Sequence, residues 1–287
     1  MRHTLATFAL GLLSLAVLAL ATPPAVAQEQ TAAAEQLFYR GRYAEAEESY
    51  RLLAEAQPAA AALGVARCQV AVGQYAEARQ TLEQALGEQP PSPRLHAALA
   101  QLELDQGAYG QAQRAAEAAL QLDDQHLAAR WVIAELHRLH GRLEDAQQAY
   151  RWFIDFYNRS DPLSDPQALH YVGLAAAQFA RWNRLHDQFD FLVNQLYPDI
   201  LKLQADFWPA RRESGWLFLE KYNQADALLD FQAALKINPH AAQVHADLAR
   251  LALQNYELEK AKKSLDRALA INPHLLDALH LRADLQF

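Results

Sequence analysis

Small and bulky apolar residues recur along this chain at the spacing of a helix. Ala46, Ala78, Ala146, Ala227 and Ala261 are each followed four residues later by Tyr50, Leu82, Tyr150, Phe231 and Leu265. Residues at i and i+4 share one helix face, so each pair marks a turn of a buried helical stripe. The stripes sit inside a repeated phrase. Gly41-Arg-Tyr-Ala-Glu-Ala46, Gly73-Gln-Tyr-Ala-Glu-Ala78, Gly107-Ala-Tyr-Gly-Gln-Ala112 and Gly141-Arg-Leu-Glu-Asp-Ala146 are four copies, with alanines stepping by 32, 34 and 34 residues. Tyr222-Asn-Gln-Ala-Asp-Ala227 and Tyr256-Glu-Leu-Glu-Lys-Ala261 are two more, 34 apart and lacking the glycine. Twelve residues beyond these alanines stands a helix stop, Pro58, Pro90, Pro239 or Pro273, with Asp124 and Asn158 in the equivalent place.

Each copy has the physics of a helical hairpin. A first helix ends near the glycine, which tolerates the left-handed conformation of a tight turn. The tyrosine or leucine two residues on is expected to pack into the hairpin, and the alanine lets the second helix approach closely. Proline then ends that second helix. These motifs resemble the tetratricopeptide repeat family over nearly all of the chain after its first residues. The resemblance implies an all-α fold, a right-handed superhelical solenoid of about seven helix-turn-helix hairpins plus a final single helix, with a concave groove. The expected division is a signal peptide over 1–27, repeats 1–4 over 28–158, an irregular extended hairpin over 159–207, and repeats 6 and 7 with a half repeat over 208–287.

The regularity fails between Ala146 and Ala227, which are 81 residues apart, two repeats of 34 plus 13. Ala180-Arg-Trp182 stands there in place of Gly-x-Tyr. Five of the extra residues are assigned to the polar stretch Asn158–Pro166 and eight to the neighbourhood of Tyr197-Pro198, where the second helix runs on or kinks. Trp131, Trp152, Trp182, Trp208 and Trp216 all lie in or beside this region. They read as filler in a misfit repeat or as a contact surface, since tryptophan dominates binding hot spots.

In the repeat family the concave face is drawn mainly from the first helix of each hairpin. Mapped onto this chain, it implies a partner-binding groove of Tyr39, Arg67, Trp131, Glu135, Arg138, His170, Arg212, Trp216 and Arg250. Such a mixed aromatic and basic face suits a peptide with carboxylates and apolar side chains. Some family members grip a C-terminal carboxylate with lysine and asparagine. The corresponding ninth positions, Glu35, Arg67, Gln101, Glu135, Leu174, Trp216 and Arg250, include no asparagine, so that clamp is not expected.

The start of the chain adds a compartment. Arg2 precedes an uncharged apolar run from Leu5 to Ala21, then Pro23-Pro24 and the small residues Ala25-Val26-Ala27, the pattern of a signal peptide cleaved after Ala27. The product is expected to be exported, periplasmic or secreted, with no membrane insertion once the leader is gone. The formal net charge of −8, with no Lys/Arg run, argues against nucleic acid as a partner. The lone cysteine, Cys68, can form no internal disulfide and is expected to be a small buried hydrophobe.

Chemistry is not legible. His137 and His140 with Glu135 nearby lack a third and fourth metal donor. There is no His-Glu-x-x-His, no phosphate loop and no nucleophile elbow. No catalytic residue, metal or cofactor is therefore assigned, and the reading is a protein-interaction scaffold or adaptor of the cell envelope. A second reading stays open. Leu169-His-Tyr-Val-Gly-Leu174, the helix from Trp182 to Tyr197 and Phe207-Trp-Pro209 resemble the arrays of exported bacterial repeat proteins that carry a thermolysin-like metallopeptidase module. That resemblance implies a substrate-recruiting role beside a hydrolase domain beyond residue 287. The last helix, with Leu275, Leu276, Leu279, Leu281, Leu285 and Phe287, is apolar enough to lack a partner helix or to self-associate.

Overall fold

The computed structural model describes residues 24–285. The expected leader thus lies almost wholly outside the described residues, as does Phe287. Seven hairpins follow one another. They are α1 (Pro24–Tyr39) with α2 (Tyr43–Leu52), α3 (Pro58–Ala71) with α4 (Tyr75–Glu88), α5 (Pro93–Asp105) with α6 (Tyr109–Leu122), and α7 (Leu127–Leu139) with α8 (Leu143–Arg159). Next, α9 (Pro166–Asn183) pairs with a composite second helix of α10 (His186–Phe191), a π-turn (Leu192–Leu196) and α11 (Tyr197–Leu203). Then come α12 (Trp208–Glu220) with α13 (Gln224–Ile237), α14 (Ala242–Gln254) with α15 (Leu258–Ile271), and the single helix α16 (Leu276–Asp284). No strand occurs among the described residues.

The repeat alanines do what their size permits: Ala46, Ala78, Ala112, Ala146, Ala227 and Ala261 are all 0% exposed. Gly41, Gly73, Gly107 and Gly141 hold φ between +72° and +83° at the hairpin turns. In the copies without glycine the backbone does the same thing at a cost. Tyr222 and Tyr256 sit at φ 59° and 58° with their rings 92% and 89% exposed. The left-handed region strains a side-chain-bearing residue by about 1 kcal/mol.

Three sequence expectations need correction. Pro58 opens α3 rather than closing α2, which ends at Leu52. Its missing N–H is no loss in a first helical turn. In the fifth hairpin the turn residue is Arg184 (φ 54°), not Ala180, which is buried inside an α9 of 18 residues. The turns at Gly141, Arg184 and Tyr222 are thus 43 and 38 residues apart, and most of the excess precedes the turn rather than following it. Part of the remainder is the π-turn before Pro198, where the Tyr197 N–H reaches back five residues to the Leu192 carbonyl. A proline ring clashes with the carbonyl four residues back, and a widened turn relieves that clash without ending the helix.

The third correction reveals the shape. The residue two beyond the glycine is buried only in the first two hairpins: Tyr43 is 7% exposed and Tyr75 half-buried, but Tyr109 is 37% and Leu143 57% exposed. The difference is the cover. The array curls through one superhelical turn, so that hairpin 6 rests on hairpin 1 and hairpin 7 on hairpin 2. Asn238, after α13, donates to the Tyr43 hydroxyl at 2.9 Å across 195 residues, and Asn272, after α15, donates to the Tyr75 hydroxyl at 2.9 Å across 197. Farther in, the Tyr39 ring at the end of α1 packs 5.3 Å from Phe207. Tyr39 joins a buried cluster with Leu169, Leu217 and Leu251 from the other end of the chain.

Candidate partner-binding surface

The nine groove candidates all lie on first helices, and the structure gathers them into three clusters. In the first, Tyr39 is 3% exposed and accepts a hydrogen bond from Arg67 at 3.3 Å. The Arg67 guanidinium lies 4.2 Å over the Phe38 ring and 3.5 Å from Glu35. His170 meets Phe207 edge-on at 5.5 Å. Its Nδ1 is buried without a hydrogen-bond partner, and burial first, then Arg212, push its pKa down to about 4. A neutral imidazole tolerates that setting, whereas an imidazolium does not.

The second cluster centres on Tyr150. Its hydroxyl donates to Glu135, which also accepts from Arg138 at 2.5 and 3.1 Å, while Trp131 and Trp182 pack at 5.9 and 5.5 Å from its ring. In the third, Arg212 grips Asp247 through two bonds of 2.6 and 3.2 Å. Arg250 lies 5.3 Å over the Trp216 ring. Burial alone lowers an arginine pKa, but Asp247 and Glu213 reverse that for Arg212, which stays charged.

Most of the concave residues therefore engage one another before any partner arrives, while His170 Nδ1 and Arg250 Nε stay buried without a hydrogen-bond partner. Tyr39 presents no surface. His170 and Arg212 form part of the floor where the ends of the curl meet. Among the nine, Arg67 and Arg138 keep clear access, with side chains 38% and 37% exposed. Reading the sequence missed Phe207, Tyr150 and Asp247 as members of these clusters. A signal for two pairs was present: Glu35 with Arg67, and Arg212 with Asp247, are opposite charges one repeat apart on neighbouring first helices. The tryptophans pack inward, Trp208 to 8% exposure and the other four half-buried, with Arg130 3.8 Å over Trp152.

On the enclosed side, Asp105 keeps solvent contact yet has protein around it. That enclosure first, and the like charge of Asp277 against a hydrogen bond from Gln101, push its carboxyl up to about 6. Cys68 is 1% exposed and burial pushes its thiol up to about 12, too high for a reactive thiolate. His137 accepts from Arg142 at 2.9 Å and the His140 Nδ1 faces the Leu136 carbonyl at 2.7 Å. Among the described residues no three His, Cys, Asp or Glu side chains come together as a metal site, and no helix is long and apolar enough to cross a membrane.

Comparison with known proteins bears on this repeat geometry directly. Tetratricopeptide repeat models match residues 25–102, and again 97–161 and 212–275. The chain belongs to the tetratricopeptide repeat family. The unmatched stretch, 162–211, holds the long α9, the π-turn and the displaced turn at Arg184, so this TPR chain departs from its family where it departs from its own period. No curated protein matches it in sequence. Among solved structures it is similar to a tetratricopeptide repeat protein from Parabacteroides merdae, with 16% identity, a TM-score of 0.51, and 91% of this chain and 99% of that one covered. It is also similar to the human IFIT1 dimer with PPP-AAAA (16% identity, TM-score 0.55, 84% of this chain and 58% of that one). A third likeness is to the APC/C hetero-tetramer Cut9-Hcn1 (18% identity, TM-score 0.51, 92% and 48%). At these identities the likeness shows the fold alone. Family members bind protein or peptide partners and are generally scaffolds rather than enzymes.

Proposed function

We propose that this TPR chain is an exported, non-catalytic scaffold of the cell envelope that holds an acidic segment of a partner protein on the concave arc of hairpins 2 to 4. The observation that carries the reading is the contrast along that face. Where the ends of the curl meet, Tyr39, His170 and Arg212 are used up by packing. At the edge of that contact Arg67, over the Phe38 ring, stays 38% exposed, and on the arc beyond it Arg138 stays 37% exposed. A partner carboxylate would exchange with Glu35 or Glu135 for a guanidinium already desolvated on one side, which favours a two-pronged Arg–carboxylate bond.

Export is supported by the leader pattern. Ala27 is 2% exposed within α1, so cleavage after it has to precede docking of that helix. Fractionation with N-terminal sequencing tests this: a mature chain beginning at Gln28 is expected, and an uncleaved chain in the cytoplasm would refute export. For the surface, affinity capture from envelope extracts with the mature chain is compared with Arg67→Gln and Arg138→Gln together. Loss of the captured partner with unchanged circular dichroism is expected. Undiminished capture by the double variant would refute the concave assignment.

A further inference from the structure

Four hairpin turns place a glycine at the left-handed position, and two place a tyrosine. Tyr222 and Tyr256 hold φ 59° and 58° at the same point of the repeated phrase in hairpins 6 and 7. They are also the two most exposed large hydrophobic side chains among the described residues, at 92% and 89%. Arg184, the third side chain held at positive φ, stands at the displaced turn and carries no ring. A glycine would relax the backbone at both tyrosines, and neither ring is buried. Backbone strain that persists under an exposed aromatic points to a residue kept for what it touches.

The rings cannot join the kind of contact that covers hairpins 1 and 2. There Asn238 or Asn272 sits directly on the turn glycine, and a Cβ at Gly41 or Gly73 would collide with the asparagine Oδ1. A tyrosine brings that Cβ and a ring besides, so such a rung is barred over hairpins 6 and 7 whatever lies above them. The two first helices lie side by side, with Arg212 of α12 reaching Asp247 of α14 and Arg250 lying over Trp216. The turns at their ends are therefore about 10 Å apart, one helix spacing. A polyproline II strand repeats every three residues, about 9.3 Å, and leaves its carbonyls without internal hydrogen bonds. Prolines three apart would rest on successive rings, and each tyrosine hydroxyl would donate to a carbonyl. Leu258, 56% exposed, widens the contact at the second ring. The other neighbours, Asn223, Asp226, Asn255, Glu257 and Glu259, are polar and suit a segment lying on the rings better than a bilayer enclosing them. Lys260 is paired with Glu257 at 2.7 Å and the Lys221 Nζ lies 4.7 Å over the Phe189 ring, so the carboxylates outnumber the amines here and favour a basic ligand.

We propose that the turns at Tyr222 and Tyr256 form a docking edge for a proline-rich segment of a partner protein in the polyproline II conformation, with a basic residue beside its prolines. Aromatic rings are the usual platform for that conformation, because a preformed strand loses little entropy on binding. The edge lies apart from the surface of Arg67 and Arg138, so either assignment can fail alone.

The probe is a fluorescein-labelled oligoproline peptide with a lysine at each end, titrated into the full chain and followed by anisotropy. Saturable binding is expected. Tyr222→Gly and Tyr256→Gly should each weaken it about fivefold or more, the effect of losing one contributing interface aromatic, and together should abolish it. Each change should also raise the urea midpoint, so that lost binding is distinguished from lost fold. Glutamates in place of the peptide lysines should weaken binding, while Arg67→Gln with Arg138→Gln should leave it unchanged. No saturation up to about 1 mM peptide, the weak end of specific association, would overturn the proposal, as would equal binding by the double glycine variant and the parent. Equal binding of a flexible Gly-Ser peptide with the same lysines would overturn it too, since that chain has the charge without the polyproline form. Loss of binding in the double arginine variant would move the peptide to the concave face and overturn the edge. In sedimentation with phosphatidylcholine vesicles the chain should stay in solution. Pelleting that the double glycine variant abolishes would assign the rings to a lipid surface and overturn the protein partner.

Discussion

Whether the superhelix closes on itself in solution can be decided by two alanine substitutions that differ in one respect. Gly41→Ala and Gly107→Ala place the same methyl at the same left-handed backbone, φ +75° and +74°. Each pays about 1 kcal/mol for that conformation. At Gly107 nothing else is within reach. At Gly41 the methyl would fall 2.1 Å from the Asn238 Oδ1 and 3.2 Å from the His240 Cβ. Asn238 is 0% exposed and held by hydrogen bonds to the His240 N–H and the Tyr43 hydroxyl, so it has to surrender both to move aside. At about 1 kcal/mol per bond, Gly41→Ala should cost about 3 kcal/mol and Gly107→Ala about 1. Urea unfolding followed by far-ultraviolet circular dichroism measures both, and Asn238→Ala completes a cycle. In its background the Gly41→Ala cost should fall to about 1 kcal/mol, the backbone part alone. Equal losses for the two glycine variants, with no effect of Asn238→Ala, would mean that hairpins 1 and 6 do not touch.

Tyr222→Gly and Tyr256→Gly should each stabilise the chain by about 0.5–1 kcal/mol, because exposed rings lose no packing while the left-handed strain disappears; a fall in the urea midpoint would contradict this. Arg212→Met leaves the Asp247 carboxylate, 4% exposed, without its counter-charge and should cost about 3–5 kcal/mol, most of it recovered when Asp247→Leu is added. No recovery in the double variant would refute the pairing as the cause. Acid stability should show His170. Its folded pKa of about 4 lies below the free value of 6.5, so its contribution is complete above pH 6.5 and is lost as pH falls through 4. The slope approaches about 1.4 kcal/mol per pH unit, and His170→Phe should flatten the profile across that window; an unchanged slope would refute it. Asp105, raised to about 6, works oppositely. Its contribution is full below the ordinary 3.8 and lost as pH rises through 6. Asp105→Asn should therefore stabilise the neutral protein, by less than about 1 kcal/mol because water reaches the group, and leave stability below pH 3.8 unchanged.

The repeat period was enough to place the hairpins, because what makes each one is local: a stripe at i and i+4, a small residue at the crossing and a turn residue that accepts positive φ. Even Tyr222 and Tyr256 stand five residues before the alanine, as the glycines do. The fifth hairpin was misregistered by four residues because Ala180-Arg-Trp182 mimics the turn phrase, while the true turn at Arg184 carries no glycine. The candidate face was legible as far as membership of first helices goes, and two of its ion pairs carried an unread signal in opposite charges one repeat apart. What tertiary structure alone decided was which of those residues remain a surface. The pitch of the curl is the sum of small rotations between hairpins, set by side-chain volumes at every interface, and no local pattern records that sum. It brings Asn238 to Tyr43 across 195 residues, buries Tyr39, and leaves the chemically equivalent Tyr109 open to solvent.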